Sequence, residues 1–130
     1  MGHGIAQVAA DAGAHVTLCD VSDVALDNAR ASIASGLDRA VAKGKLTAEA
    51  KQAVLDRITT ASDYREVAAS ASVIVEAVPE RLELKQQIFR VVAEIARPDA
   101  LLGTNTSSLS ISRIASTATD PGRIVGMHFF

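Results

Sequence analysis

The first residues with a chemical reading are Gly2 and Asp20. Gly2 opens a stretch that is apolar at Ile5, Val8, Ala9 and Ala12, a helical spacing, and Asp20 ends a short β-branched run. In a G-x-G-x-x-G dinucleotide fingerprint the third glycine lets a helix pack closely on strand and loop. An acid about 20 residues further on accepts both ribose hydroxyls of NAD. Gly2 fits that glycine and Asp20 that acid; a solvated Asp at a strand end is the ordinary alternative. Three later strings set polar groups beside apolar runs: VEAVPERLELKQQIF from Val75, GTNTSSLSI over Gly103–Ile111, and GMHFF over Gly126–Phe130. A histidine such as His128 suits proton transfer near neutral pH. A hydroxyl such as that of Ser107 both donates and accepts, so it can hold an oxygen in either role.

These residues need strand ends and helix starts to position them, and the pattern along the chain supplies both. Gly13 closes the first helix, His15–Cys19 reads as a strand ending on Asp20, and Ser22 caps a long helix running to about Lys43. Ala25, Ala29, Ile33 and Leu37 share one face of it. Gly44 breaks that helix, and Thr47 caps another from Ala48 to about Asp56. Ile58–Thr60 is a weakly signalled strand and Tyr64–Ala69 a helical turn or two. Ser72–Val75, apolar on both faces, reads as a buried parallel strand leading into Glu76 and Ala77. Arg81–Ala96 is an amphipathic helix through Leu84, Ile88, Val91, Val92 and Ile95, stopped by Pro98. Ala100–Gly103 is a further buried strand, Ser110–Ser116 a short helix and Arg123–His128 a last strand. Strands alternating with helices imply an α/β fold, a doubly wound parallel sheet with right-handed crossovers.

Bulk properties narrow the function. With 130 residues the chain fits one core, and 48% hydrophobic against 22% charged residues is a globular composition. Aromatics are 3%, so small aliphatics must pack helices on sheet. The balance of 13 basic and 15 acidic residues gives no patch for nucleic acid. No apolar run approaches the ~20 residues that span a bilayer. Cys19 is alone, which excludes a disulfide framework and a cysteine-based metal site and points to the cytoplasm. His3 and His15 have no second ligand at metal spacing and read as structural, and Cys19 as a small core residue.

Taken in order and on strand ends, the three strings resemble the signature of the NAD-dependent 3-hydroxyacyl-CoA dehydrogenases, including the bacterial 3-hydroxybutyryl-CoA enzymes, over essentially the whole chain. The resemblance implies a Rossmann-like NAD-binding domain, NAD as cofactor, a 3-hydroxyacyl-CoA substrate and a place in fatty-acid β-oxidation. It also implies roles: Asp20 holds the adenine ribose, Ala77, Glu80 and Lys85 touch NAD, and Glu80 helps close the site. Asn105 lines cofactor and site, Ser107 bonds the substrate's 3-oxygen, and His128 is the general base. Oxidising a secondary alcohol needs a hydride acceptor and a proton acceptor, and these residue types fit the second need. Each has a plainer alternative on its own: His128 as a half-buried structural residue, Ser107 as cap of the Ser110–Ser116 helix, Glu80 and Lys85 as helix N-terminal capping and solvation.

The resemblance further implies parts outside this sequence: a first strand with two more glycines, an orienting Glu for His128, and a helical C-terminal domain forming the acyl-CoA pocket and a homodimer. The expectation is a partial domain, a gene fragment, mis-called start or piece of a longer polypeptide, inactive by itself. Two other readings are a non-catalytic Rossmann remnant and a β-hydroxyacid dehydrogenase of the phosphogluconate type. NTSSLS and HFF have no place in the latter.

Overall fold

The computed structural model describes residues 1–130, which divide into two compact units, Met1–Tyr64 and Arg65–Phe130.

In the first unit, α1 (Gly2–Asp11) is followed by β1 (Val16–Cys19). The turn between them passes through Gly13 at φ +97°, a left-handed conformation that a residue without Cβ adopts freely. The hydroxyl of Ser22 accepts from Ala25 N at 3.2 Å and starts α2 (Asp23–Ala42) as expected. Thr47 caps α3 (Ala48–Asp56) in the same way, accepting from Ala50 N at 3.1 Å. β2 (Ile58–Ala61) then pairs in parallel with β1, Val16 opposite Ile58 and Cys19 opposite Ala61. Ala6, Ala10, Ile33, Leu37, Val54 and Ile58 form the core, with Val16 and Leu18 packed on it.

The helix faces differ from the sequence reading. On α1 the buried line is Ala6 and Ala10, while Val8 and Ala12 are exposed. α1 packs on β1, α2 and α3 together, and methyl side chains permit that close approach. On α2 Leu26 joins Ile33 and Leu37 in the interior, and Ala25 and Ala29 are only half-buried.

The second unit begins within α4 (Tyr64–Ala68). It contains β3 (Val73–Glu76), α5 (Leu82–Ile95), β4 (Leu101–Thr104), α6 (Ile111–Ala115), a 3-10 turn at Pro121–Arg123 and β5 (Ile124–Gly126). Its three strands are parallel in the order β3-β4-β5, with Glu76 opposite Thr104 and Thr104 opposite Gly126. Each unit thus has its own sheet, β1-β2 in the first and β3-β4-β5 in the second, and both are parallel throughout.

Three expectations need correction here. β3 is an edge of its sheet, so Val73 is 52% exposed rather than buried on both faces. The last strand ends at Gly126, which leaves His128 beyond it. The buried face of α5 is Lys85, Phe89, Val92 and Ala93, about one residue on from the anticipated apolar stripe. The shift follows from Lys85, whose ammonium is drawn inward to a buried carboxylate and brings Phe89, one turn on, with it.

Candidate active site

The site is built on the carboxyl ends of the second unit's strands. β3 ends on Glu76, a carboxylate 5% exposed. Its Oε2 accepts from Thr104 Oγ1 on the neighbouring strand at 2.7 Å, and its Oε1 accepts from Val78 N at 2.7 Å. Lys85, fully buried, donates to the same Oε1 at 2.7 Å. Buried charges persist only when paired and bonded, and this pair is both. The Lys85 ammonium also lies 3.4 Å from the carbonyls of Val78 and Asn105 and 3.5 Å from Glu80 Oε2.

Glu80 organises the loop after β4. Its Oε1 accepts from Thr106 Oγ1, from Ser107 N at 3.0 Å and from Ser108 N at 3.2 Å. The Thr106 hydroxyl lowers the Glu80 carboxyl most, to about 2, against some desolvation, with the Ser108 and Ser107 amides and the Lys85 charge adding to it. Glu80 therefore does not cap α5, whose N-cap is Arg81 and carries no side-chain bond.

The ordered loop presents Ser107, whose Oγ lies 3.1 Å from His128 Nε2. Ser107 does not cap α6 either: Ser110 does, accepting from Arg113 N at 3.3 Å. His128 is held through its neighbours. Met127 N donates to Thr104 O at 3.0 Å, and Phe129 N donates to Asn105 Oδ1 at 2.9 Å. The His128 ring also meets that of Phe130 at 5.7 Å between centroids, tilted 52°. Both Ser107 and His128 are exposed, as residues that meet a ligand must be. A hydrogen-bonded Ser–His pair on a loop pinned from both sides can hold an oxygen and take its proton.

Of the residues singled out by sequence, the second unit gathers Glu80, Lys85, Asn105, Ser107 and His128 into one network, and half-buried Ala77 lies between Glu76 and Val78. Gly2 and Asp20 belong to the first unit. Asp20, exposed after β1, accepts from Ser22 N at 2.9 Å through Oδ1 and leaves Oδ2 unengaged. Within these residues a Cβ at position 2 would meet only Leu18 Cδ1, at an ordinary 3.7 Å. Glu76 and Thr104 were missed. The available signal was an acid at the end of the apolar run SVIV with a lysine nine residues on.

The family model for the NAD-binding domain of 3-hydroxyacyl-CoA dehydrogenase matches residues 1–130. This chain belongs to that family. It is 45% identical over 130 residues to the 3-hydroxyadipyl-CoA dehydrogenase of Escherichia coli K12, covering all of this chain and 27% of that protein. It is 40% identical over 129 residues to the 3-hydroxybutyryl-CoA dehydrogenase of Bradyrhizobium diazoefficiens, covering 99% of this chain and 44% of that one. The crystal structure of 3-hydroxybutyryl-CoA dehydrogenase from Escherichia coli K12 superposes with a TM-score of 0.95 at 45% identity, covering 100% of this chain and 27% of that one. The (S)-3-hydroxybutyryl-CoA dehydrogenase of Ralstonia eutropha gives 0.93 at 38% identity, with 100% and 46% covered. The chain thus spans between about a quarter and a half of the length of these relatives. The fold is Rossmann-like α/β, the cofactor of the family is NAD, and no helix is long and apolar enough to cross a membrane. The donor set fits that cofactor, since an exposed carboxylate with a free oxygen after a parallel strand is an acceptor for a ribose diol.

Proposed function

We propose that the chain is the cofactor half of an enzyme that oxidises the 3-hydroxyl of an acyl-CoA. The observation that carries this reading is the 3.1 Å contact between Ser107 Oγ and His128 Nε2. Ser107 is held by Glu80, and His128 through Met127 and Phe129. NAD, when bound, supplies the hydride acceptor. His128 takes the hydroxyl proton at Nε2. Ser107 donates to the substrate oxygen in both its alcohol and ketone forms, which leaves the alcohol's one proton to His128.

Asp20 holds the adenine ribose. Gly2 lies at the start of α1, which no side chain caps, so its first amides face a pyrophosphate. Ala77, Glu80 and Asn105 line the cofactor; Lys85, expected to touch it, is fully buried and acts through Glu80 instead. Lone Cys19 supports a cytoplasmic setting. The acyl-CoA and a homodimeric assembly rest on the family resemblance.

The test is NADH formation from (S)-3-hydroxybutyryl-CoA by a polypeptide joining this chain to the segments its relatives possess. His128→Gln should lower kcat by roughly 10²–10⁴ and leave NAD affinity nearly intact. Ser107→Ala should cost on the order of 1–3 kcal/mol of transition-state stabilisation. No turnover by the parent, or an NAD affinity that collapses in His128→Gln, would overturn the reading.

A further inference from the structure

The Glu76–Lys85–Thr104 cluster is buried and charged, and it lies where both halves of the Ser107–His128 pair are anchored. The Lys85 ammonium bonds Glu76 at 2.7 Å and sits 3.5 Å from Glu80 Oε2 and 3.4 Å from the Asn105 carbonyl. Glu80 fixes the Ser107 and Ser108 amides, at 3.0 and 3.2 Å. Asn105 fixes Phe129 N at 2.9 Å, next to His128. One cation therefore touches the holder of the serine and the holder of the histidine.

We propose that Glu76, Lys85 and Thr104 form a buried brace that sets Ser107 against His128, making them positioning residues for the reaction. The proposal rests on the functional reading given above. Glu76 has three donors of its own, Lys85, Thr104 and Val78 N, so its carboxylate fixes the ammonium from the sheet side. A brace that served only folding would be satisfied by any well-packed apolar replacement. A Ser–His pair is more demanding, since its geometry must hold within about 0.5 Å.

The two roles separate in the double variant Glu76→Gln with Lys85→Met. Losing one partner strands a buried charge, whereas losing both leaves none. In the polypeptide that turns over acyl-CoA, the double variant should keep a melting temperature near that of the parent. Its kcat should drop about tenfold or more with KM changed less than about threefold. Amide exchange at Ser107 and Phe129, read by NMR on the 130-residue chain, should quicken about tenfold while Leu102 in β4 stays protected. Parental kcat and exchange in the double variant would overturn the brace. Should the double variant fail to fold, Thr104→Val carries the test, with a selective rise of about two- to threefold expected at the same amides. A uniform rise or none would overturn it. The exchange arm needs no turnover, so an inactive parent sinks the functional reading and leaves the brace to be judged by its amides.

Discussion

At the scale of the residue, the proposed ribose-binding role of Asp20 carries a prediction about cofactor choice. Its Oδ1 is engaged by Ser22 N at 2.9 Å, which fixes the carboxylate at the strand end and leaves Oδ2 outward. Such a group accepts from ribose hydroxyls and repels a 2′-phosphate. Replacing Asp20 by Ala and the adjacent exposed Val21 by Arg should cut the NAD/NADP ratio of kcat/KM by about tenfold or more. An unchanged ratio would remove Asp20 from the ribose site. α2 should survive the change, because its cap is the Ser22 hydroxyl. The place of Asp20 at a strand end was legible in the sequence, because it lies in local spacing, a strand and then an acid. Glu76 and Thr104 were not, because their meaning lies in a cross-strand register, and no local pattern shows that Glu76 stands opposite Thr104. Lys85 was legible as a position but not as an orientation. A lysine at a helix start is ordinarily solvated, and only the buried carboxylate explains its inward turn.

At the scale of elements, the helix and strand order followed from periodicity, while faces and ends did not. α5 turned about one residue from its apolar stripe, and β5 stopped two residues before His128. Packing between elements decides such details. β4 shows the point at Gly103, where a Cβ would strike the Met127 side chain, with Cγ only 2.9 Å away. Met127 is tied by its amide to Thr104 O, so its backbone cannot withdraw. Gly103→Ala should therefore destabilise by about 1–3 kcal/mol and disturb His128, the next residue. Gly126→Ala is the control. Its Cβ would come within 2.5 Å of Ile111 Cδ1, but that atom ends a flexible side chain which is 38% exposed and can swing aside. A cost below about 1 kcal/mol is expected there. Denaturant midpoints of the two variants measure the difference, and equal midpoints would show that Met127 does not confine β4.

At the scale of the whole molecule, the α/β alternation sufficed for the fold, since few topologies accommodate parallel strands with crossover helices. Strand pairing was not legible, because it depends on which edges meet: β1 hydrogen-bonds β2 alone and β3 hydrogen-bonds β4 alone. The stability of the chain has a pH dependence that one loop helps to set. Glu80 is held at about 2 when folded, chiefly by the Thr106 hydroxyl and then by the Ser108 and Ser107 amides, against an ordinary 4.5. A depressed carboxyl stabilises the folded state fully above its unfolded value. As pH falls below 4.5 the unfolded chain takes up the proton first, and the contribution shrinks until it vanishes near 2. Water screens a side chain that is 36% exposed, so the contribution is modest and its sign is the test. Gln at position 80 keeps an acceptor for Thr106 and the two amides but has no charge to titrate. The parent should therefore melt above Glu80→Gln at about pH 6, with the gap narrowing steadily toward about pH 2.5. Other titrating carboxylates, Asp99 among them, are common to both proteins and cancel in the difference. A gap that stays constant across that range would mean that Glu80 holds the Ser107 loop by shape alone, without its charge.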